Sequence, residues 1–275
     1  MTQVLQRTKA VKPAGARSTY ARVVRTERVS PSFVRVVLTG ADDTLARTFV
    51  PMGYDQWFRL FLAAPGRDLP VLPDGGPEGW YSRWMELDPE DRGSVRNYTV
   101  RAARPLTDGG WEIDVDFVVH TDPATGEVAG VAAAWALGAR PGDVVGMLDQ
   151  GTFYATGPVA GKAVVVVDES GLPAAEGIAR SLPVDEHAVF LIEVAHPEDR
   201  RPLPSFASTR VRWAVREPGA APGDAALALL HEERLEPTDY VYAVGETALA
   251  LGARAWAQRA GVPKAQVDFC AYWRR

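Results

Sequence analysis

The sequence predicts two domains of different class: a six-stranded antiparallel β-barrel, then a doubly wound parallel α/β sheet. Three observations carry that reading. The first half holds short β-rich segments separated by turn residues, with no long helix between them. Residues 163–167, Ala-Val-Val-Val-Val, form the unbroken apolar run that a strand buried on both faces requires. Beyond that run, strand-like and helix-like stretches alternate to the end.

In order along the chain, residues 1–17 carry Arg7, Lys9, Lys12 and Arg17 without the apolar stretch of a signal peptide, and read as a flexible tail. The barrel domain is expected over 18–155, with strands at 20–26, 33–38, 56–62, 97–102, 111–119 and 143–147. Within it, Glu112-Ile113-Asp114-Val115-Asp116-Phe117 alternates with period two, as a strand with one wet face does. Turn residues at 107–110 and 140–143 punctuate these strands, and a helix is expected near 131–137. Residues 64–92, rich in proline and glycine, read as a long irregular insertion. The segment 151–161, which holds Pro158, is the natural hinge before a second domain over 160–275. There the pattern predicts helices at 173–180, 224–234 and 247–260, the first with Pro173 in its opening turn. Strands are expected at 189–194, 211–215, 240–244 and 266–272.

The bulk chemistry narrows the function classes. A chain of 275 residues with 47% hydrophobic and 24% charged side chains is ordinary globular material. A formal charge of −5 argues against a nucleic-acid partner, although a local cluster of cations can still hold a small anion. No apolar run is long enough to insert into a membrane. The single Cys270 excludes an internal disulfide, and the four histidines show no metal-ligand spacing, so no metal centre is expected. A cytoplasmic monomer is the default expectation.

Candidate chemistry falls at five places. Arg96-Asn97-Tyr98-Thr99 opens a barrel strand and brings a cation, an aromatic plate and a small hydroxyl together. The plain alternative is a solvated arginine beside a core tyrosine. His120 ends a strand, and Val131, Ala132 and Ala133 open a helix whose small residues would let a phosphate reach the backbone N–H groups. The same small residues also suit tight helix packing. Asp168-Glu169-Ser170 joins the buried strand to a helix, at the carboxyl end where such sheets bind ligands. Gly245-Glu246 does the same one unit later, and neither loop carries a GxGxxG or Walker pattern. Near the end of the chain, Tyr272 and Trp273 either cover a ligand ring or seal an apolar edge.

Taken together, Arg-x-Tyr-Thr-x-Arg at 96–101, Asp-x-Asp-Phe-Val-x-His at 114–120, Asp-Glu-Ser-Gly-Leu-Pro-Ala at 168–174, Gly-Glu at 245–246 and Tyr-Trp-Arg at 272–274 resemble the siderophore-interacting protein family. These are FAD-dependent ferric-siderophore reductases of the ferredoxin–NADP reductase-like group, and the resemblance spans about residues 18–275. It implies that the barrel binds flavin and that the α/β sheet is a ferredoxin-reductase-like NAD(P) domain. Arg96 would pair with the FAD pyrophosphate, Tyr98 would pack on the isoalloxazine, and Thr99 would bond near its reactive nitrogen, with Asn97 between them. His120 would contact the cofactor, Val131, Ala132 and Ala133 would hold its phosphates, and Trp273 would shield the flavin. Asp168, Glu169, Ser170, Gly245 and Glu246 would face NADH or NADPH.

Two departures stand out: Gly130-Val131-Ala132 where relatives have Gly-Pro-Ala, and Asp149-Gln150 where many have Gly-Pro. The implied activity passes electrons from NAD(P)H through FAD to Fe(III) in a siderophore, releasing Fe(II). It needs no catalytic acid or nucleophile. Lys264, Arg274 and Arg275 are the candidate contacts for an anionic siderophore. A ferredoxin is an alternative electron partner. A flavin reductase with another acceptor, or a non-catalytic carrier of flavin or siderophore, is the rival reading.

Overall fold

The computed structural model describes residues 10–121, 125–157, 159–203 and 208–275. Packing divides them into two compact units. One, the barrel unit, comprises Lys12–Met52 and Gln56–Thr152; the other, the α/β unit, comprises residues 10–11, Gly53–Asp55 and Phe153–Arg275.

The barrel unit holds seven hydrogen-bonded strands: β1 (Thr19–Ser30), β2 (Phe33–Gly40), β3 (Trp57–Leu62), β4 (Ser94–Thr99), β5 (Ala102–Pro105), β6 (Trp111–Val118) and, after a two-strand ribbon, β9 (Val144–Gly151). Their order is β4-β3-β9-β1-β2-β6-β5, all pairs antiparallel. β4 and β5 stand at opposite edges of that order yet are separated by only Val100 and Arg101. The Val100 N–H bonds the Gln56 carbonyl on one side, and the Arg101 N–H bonds the Asp114 carbonyl of β6 on the other. One bent stretch of chain therefore joins the two edges, which closes the sheet into a barrel with little free edge, built of seven strands where six were expected. The alternation of β6 puts Ile113, Val115 and Phe117 wholly inside, against Val36, Leu38, Phe58 and Leu60.

The opposite face of β6 departs from expectation. Asp114 and Asp116 are each only 4% exposed, so that face is not wet. Arg35 of β2 grips Asp116 through two bonds of 2.7 and 3.0 Å, and Arg104 of β5 grips Asp114 through two of 2.6 and 2.7 Å. Paired guanidinium–carboxylate forks satisfy charges that burial alone would penalise. Two helices were not anticipated. α1 (Asp43–Thr48) is capped by the Asp42 carboxylate on the Thr44 N–H, and α2 (Trp80–Met85) lies inside the insertion expected to be irregular. Of the expected tail, residues 1–9 lie outside the described residues, whereas Lys12 packs 5.7 Å from the Trp57 ring.

The α/β unit is a five-stranded parallel sheet of β10 (Ala163–Val167), β11 (His187–Val194), β12 (Ser208–Val215), β13 (Tyr240–Glu246) and β14 (Val267–Trp273), in the order β12-β11-β10-β13-β14. Helices α4 (Leu172–Ser181), α5 (Asp224–His231) and α6 (Thr247–Arg259) alternate with them. All five residues of β10 are fully buried, as the apolar run requires. α5 stops three residues short of expectation; beyond it Glu232 and Glu233 pair with Arg212 and Arg210 of β12. The expected hinge includes Pro158, which lies outside the described residues.

Gly53–Asp55 belongs to this unit for a visible reason. The Tyr54 carbonyl lies so close to Gly177 of α4 that a Cβ there would overlap it, and the Tyr54 N–H donates to Ser181 Oγ at 2.8 Å. Asp55 accepts from the Phe153 and Tyr154 N–H groups and from the Tyr242 hydroxyl, at 2.8–3.0 Å. Burial holds its carboxyl above the ordinary range despite these donors.

Candidate functional site

In the barrel unit, β4 pairs with β3 so that Arg96 and Tyr98 share one face and Asn97 and Thr99 the other. Tyr98 lies with its ring 4.2 Å from Phe117, and Phe117 lies 5.6 Å from Trp135 of α3 (Val131–Gly138). This aromatic row ties β4, β6 and α3 together. Burial holds the Tyr98 phenol well above its ordinary pKa, so it acts as a neutral plate. Arg96 is exposed, and among the described residues its guanidinium bonds only the Val95 carbonyl, at 2.8 Å. Arg35, Arg101 and Arg104 of the same unit are committed to carboxylates. This one is available to an anion.

On the other face, Asn97 Oδ1 accepts from Arg59 at 3.0 Å. Arg59 in turn lies 4.1 Å from the Trp80 ring and 5.2 Å from Trp57. Burial, then the neighbouring Arg59, lowers the Lys12 pKa, and burial lowers that of Arg59. Sequence reasoning missed this cluster because Trp80 comes from α2, inside the insertion. Thr99 is buried on β4.

His120 stands in the short strand β7 (His120–Thr121), directly across from Ala129 of β8 (Val128–Ala129), which leads into α3. The structure thus brings His120 beside the start of the helix that holds Val131, Ala132 and Ala133. No side chain caps α3, and no acid occupies its first turn. Gly130, at φ +91°, faces open space: a Cβ built there meets nothing within 4 Å. An uncapped helix start with clear approach suits a phosphate, which would supply the missing acceptors.

In the α/β unit the strand order reverses between β10 and β13, and ligands of doubly wound sheets bind outside the carboxyl ends at that reversal. The two loops flanking it are Asp168-Glu169-Ser170 and Gly245-Glu246, so the structure unites two separately predicted motifs. Both acids of the first loop are wholly buried. Asp168 Oδ1 accepts from the Ser170 N–H and hydroxyl at 2.9 and 2.5 Å, and Oδ2 accepts from the Glu246 N–H at 2.6 Å and the Trp273 indole at 3.1 Å. Glu169 pairs with Arg216, which also pairs with the buried Glu193.

The remaining candidates do not converge. Lys264 precedes the first residue of β14, and Arg274 follows its last. A seven-residue strand rising ~3.3 Å per residue therefore separates Lys264 from Arg274 and Arg275 by more than ~20 Å. Lys264 lines a separate depression of about 250 Å³ with Arg254, Gln258 and Asp268. The three cations expected to share a ligand do not form one cluster.

Burial first, then the neighbouring Glu169, raises the Asp168 pKa from 3.8 to about 6. A folded-state pKa above the unfolded one favours the folded state most below about pH 4, and that advantage is lost as pH rises through about 6. Asp168→Asn abolishes this titration. The expected result is that the wild-type melting temperature falls relative to the variant between pH 4 and 7; parallel curves would show that Asp168 titrates normally.

A closed antiparallel barrel with an available arginine, joined in one chain to a doubly wound sheet with ligand loops at its reversal, defines a two-unit flavoprotein of the ferredoxin-reductase type. The chain belongs to the siderophore-interacting protein family: residues 22–152 match its siderophore-interacting FAD-binding domain and residues 160–275 its siderophore-interacting protein domain. FAD is accordingly the cofactor, and the available Arg96, the aromatic row and the open start of α3 fit it. A Mycobacterium tuberculosis protein of uncharacterized function is 33% identical over 199 residues, 70% of this chain; the chain spans 64% of that relative's length. Ferric vibriobactin reductase ViuB of Vibrio cholerae is 28% identical over 75% of this chain and 69% of its own. The NADPH-dependent ferric-chelate reductase of Escherichia coli is 32% identical over 55% of this chain and 52% of its own. The crystal structure of a siderophore utilization protein from T. fusca is 28% identical and superposes with a TM-score of 0.78 over 97% of this chain and 96% of that one. Among the described residues, no helix is long and apolar enough to cross a membrane, and no cluster of His, Cys, Asp and Glu could hold a metal ion.

Proposed function

We propose that the protein is a ferric-siderophore reductase that takes electrons from NADH or NADPH and delivers them to siderophore-bound Fe(III) in the cytoplasm. The single observation that carries this reading is the available Arg96 on the Tyr98 face of a family FAD-binding barrel. ViuB and the ferric-chelate reductase, as relatives, point the same way; neither supports a ferredoxin partner.

FAD supplies the conversion between two-electron and one-electron chemistry. The protein's own residues bind and orient. Arg96 would neutralise the pyrophosphate, the first N–H groups of α3 at Val131–Ala133 would complete its phosphate contacts, and Tyr98 would offer a neutral aromatic surface. Ser170 and the backbone at Gly245–Glu246 would receive the hydride donor at the sheet reversal. In the overall balance, one NAD(P)H reduces two Fe(III) to two Fe(II) and leaves NAD(P)⁺ and one proton. The siderophore loses no covalent bond, because its anionic oxygens hold Fe(II) far less tightly than Fe(III). Arg59 and Lys12, set against Trp57 and Trp80, are the barrel unit's candidate contacts for that anionic ligand.

The test is anaerobic stopped flow on FAD-loaded protein. NADPH or NADH should bleach the flavin absorbance, and ferric siderophore should restore it while the gallium complex does not. Restoration by gallium as readily as by iron, or none by iron, would end the reductase reading and leave a carrier or another acceptor.

A further inference from the structure

We infer that Asp168 is a positioning residue: its carboxylate sets the indole of Trp273 and the Gly245–Glu246 loop, and it does not itself touch the hydride donor. The inference deepens the proposed reductase site, and its structural half stands without that reading.

A carboxylate offers about four lone-pair directions, and four donors use those of Asp168. The group is wholly buried, so no direction is left toward a ligand. Its neighbours close the space as well. A Cβ at Gly245 would lie 2.6 Å from the Asp168 carboxylate, and Gly245 has φ +145°, a conformation suited to glycine. The end of β13 can therefore close over the carboxylate only as it stands.

The far side of Trp273 is held too. Its carbonyl accepts from Thr247 Oγ1 at 3.0 Å, while Glu246 Oε1 accepts from the Arg275 N–H at 3.4 Å and Glu246 Oε2 caps the Ala248 N–H. Residues 273–275 are thus strapped across the start of α6, and the indole N–H holds the ring to Asp168. Glu246 serves the same strap with both oxygens. Ser170, part-exposed beside the buried acids, is the residue of this loop that the proposed reading leaves to meet a ligand.

The experiment reads the indole N–H resonance of Trp273 in ¹⁵N-labelled full-length protein, assigned by its disappearance in Trp273→Phe. In the wild type it should exchange with solvent about ten- to a hundredfold more slowly than an exposed indole. Asp168→Ala should remove that protection. Asp168→Asn, which keeps an oxygen where Oδ2 stands, should restore much of it. Wild-type exchange at the rate of an exposed indole, or protection unchanged in Asp168→Ala, would overturn the inference; the wild-type measurement decides even if the alanine variant fails to fold. Kinetically, Asp168→Ala should raise the KM for the nucleotide more than it lowers kcat, with FAD content unchanged. The same change made on top of Trp273→Phe should add less than it does alone; full additivity would also overturn it. Failure of the reductase reading is distinct, since it appears as absent turnover in the wild type.

Discussion

Replacing Arg216 by methionine is expected to destabilise the α/β unit by about 3–5 kcal/mol, the range for removing one partner of a buried ion pair. Arg216 pairs with two wholly buried carboxylates at once. Its Nη2 meets Glu169 Oε2 at 2.5 Å and its Nε meets Glu193 Oε1 at 2.6 Å. Glu193 cannot turn away, because it also accepts the N–H groups of Gly223, Ala225 and Ala226 at the start of α5. Methionine fills similar volume but leaves two anions facing each other in a dry interior. Burial already raises the Glu169 pKa, and Arg216 is what opposes that rise. The loss should therefore shrink in acid, where Glu169 takes up a proton, and Glu169→Gln should recover part of it in the double variant. Urea unfolding of the full chain, followed by a probe in the α/β unit, measures both. A loss below about 1 kcal/mol at neutral pH would mean that the triad is solvated in solution.

That prediction also marks how far the sequence could be read. The apolar run at 163–167 announced β10 without help, since its signal lies within five adjacent residues. The alternation of 112–117 likewise announced β6 and its inner face. The outer face could not be read that way. Asp114 and Asp116 look like solvent residues until Arg35 and Arg104 arrive from other strands. Asp168 is the same case at the candidate site: its position in a βα loop was legible, but its partners Glu246 and Trp273 lie 78 and 105 residues away. Period and motif report what one element wants to bury; they do not report which distant donor saturates a charge. The separation of Lys264 from Arg274, by contrast, was implicit in the predicted final strand, because an extended segment cannot fold its two ends into one pocket.

Arg96→Ala is expected to weaken FAD binding by roughly 10²- to 10³-fold, about 3–4 kcal/mol at 1.4 kcal/mol per tenfold, with little change in the stability of the apo barrel. The asymmetry follows from what Arg96 does not do. Arg35 and Arg104 hold buried carboxylates, so removing either leaves a charge in the barrel wall with only the longer pairing to Arg101, at 3.6–3.8 Å, among the ion pairs of the described residues. Arg96 is exposed and, among the described residues, spends one bond, on the Val95 carbonyl, so its removal costs the fold little. Its whole value would lie in the anion it meets. Arg96→Lys should fall between, since a lysine keeps the charge but cannot offer two parallel N–H groups to a phosphate. Titration of apo protein with FAD, followed by flavin fluorescence, gives the affinities, and thermal melts without FAD give the stabilities. The tenfold steps should shorten as salt rises, because an exposed pair is screened while the aromatic row behind it is not. Equal FAD affinity in wild type and Arg96→Ala would detach the pyrophosphate from β4 and leave the start of α3 as its remaining support, with Gly130 the next residue to test.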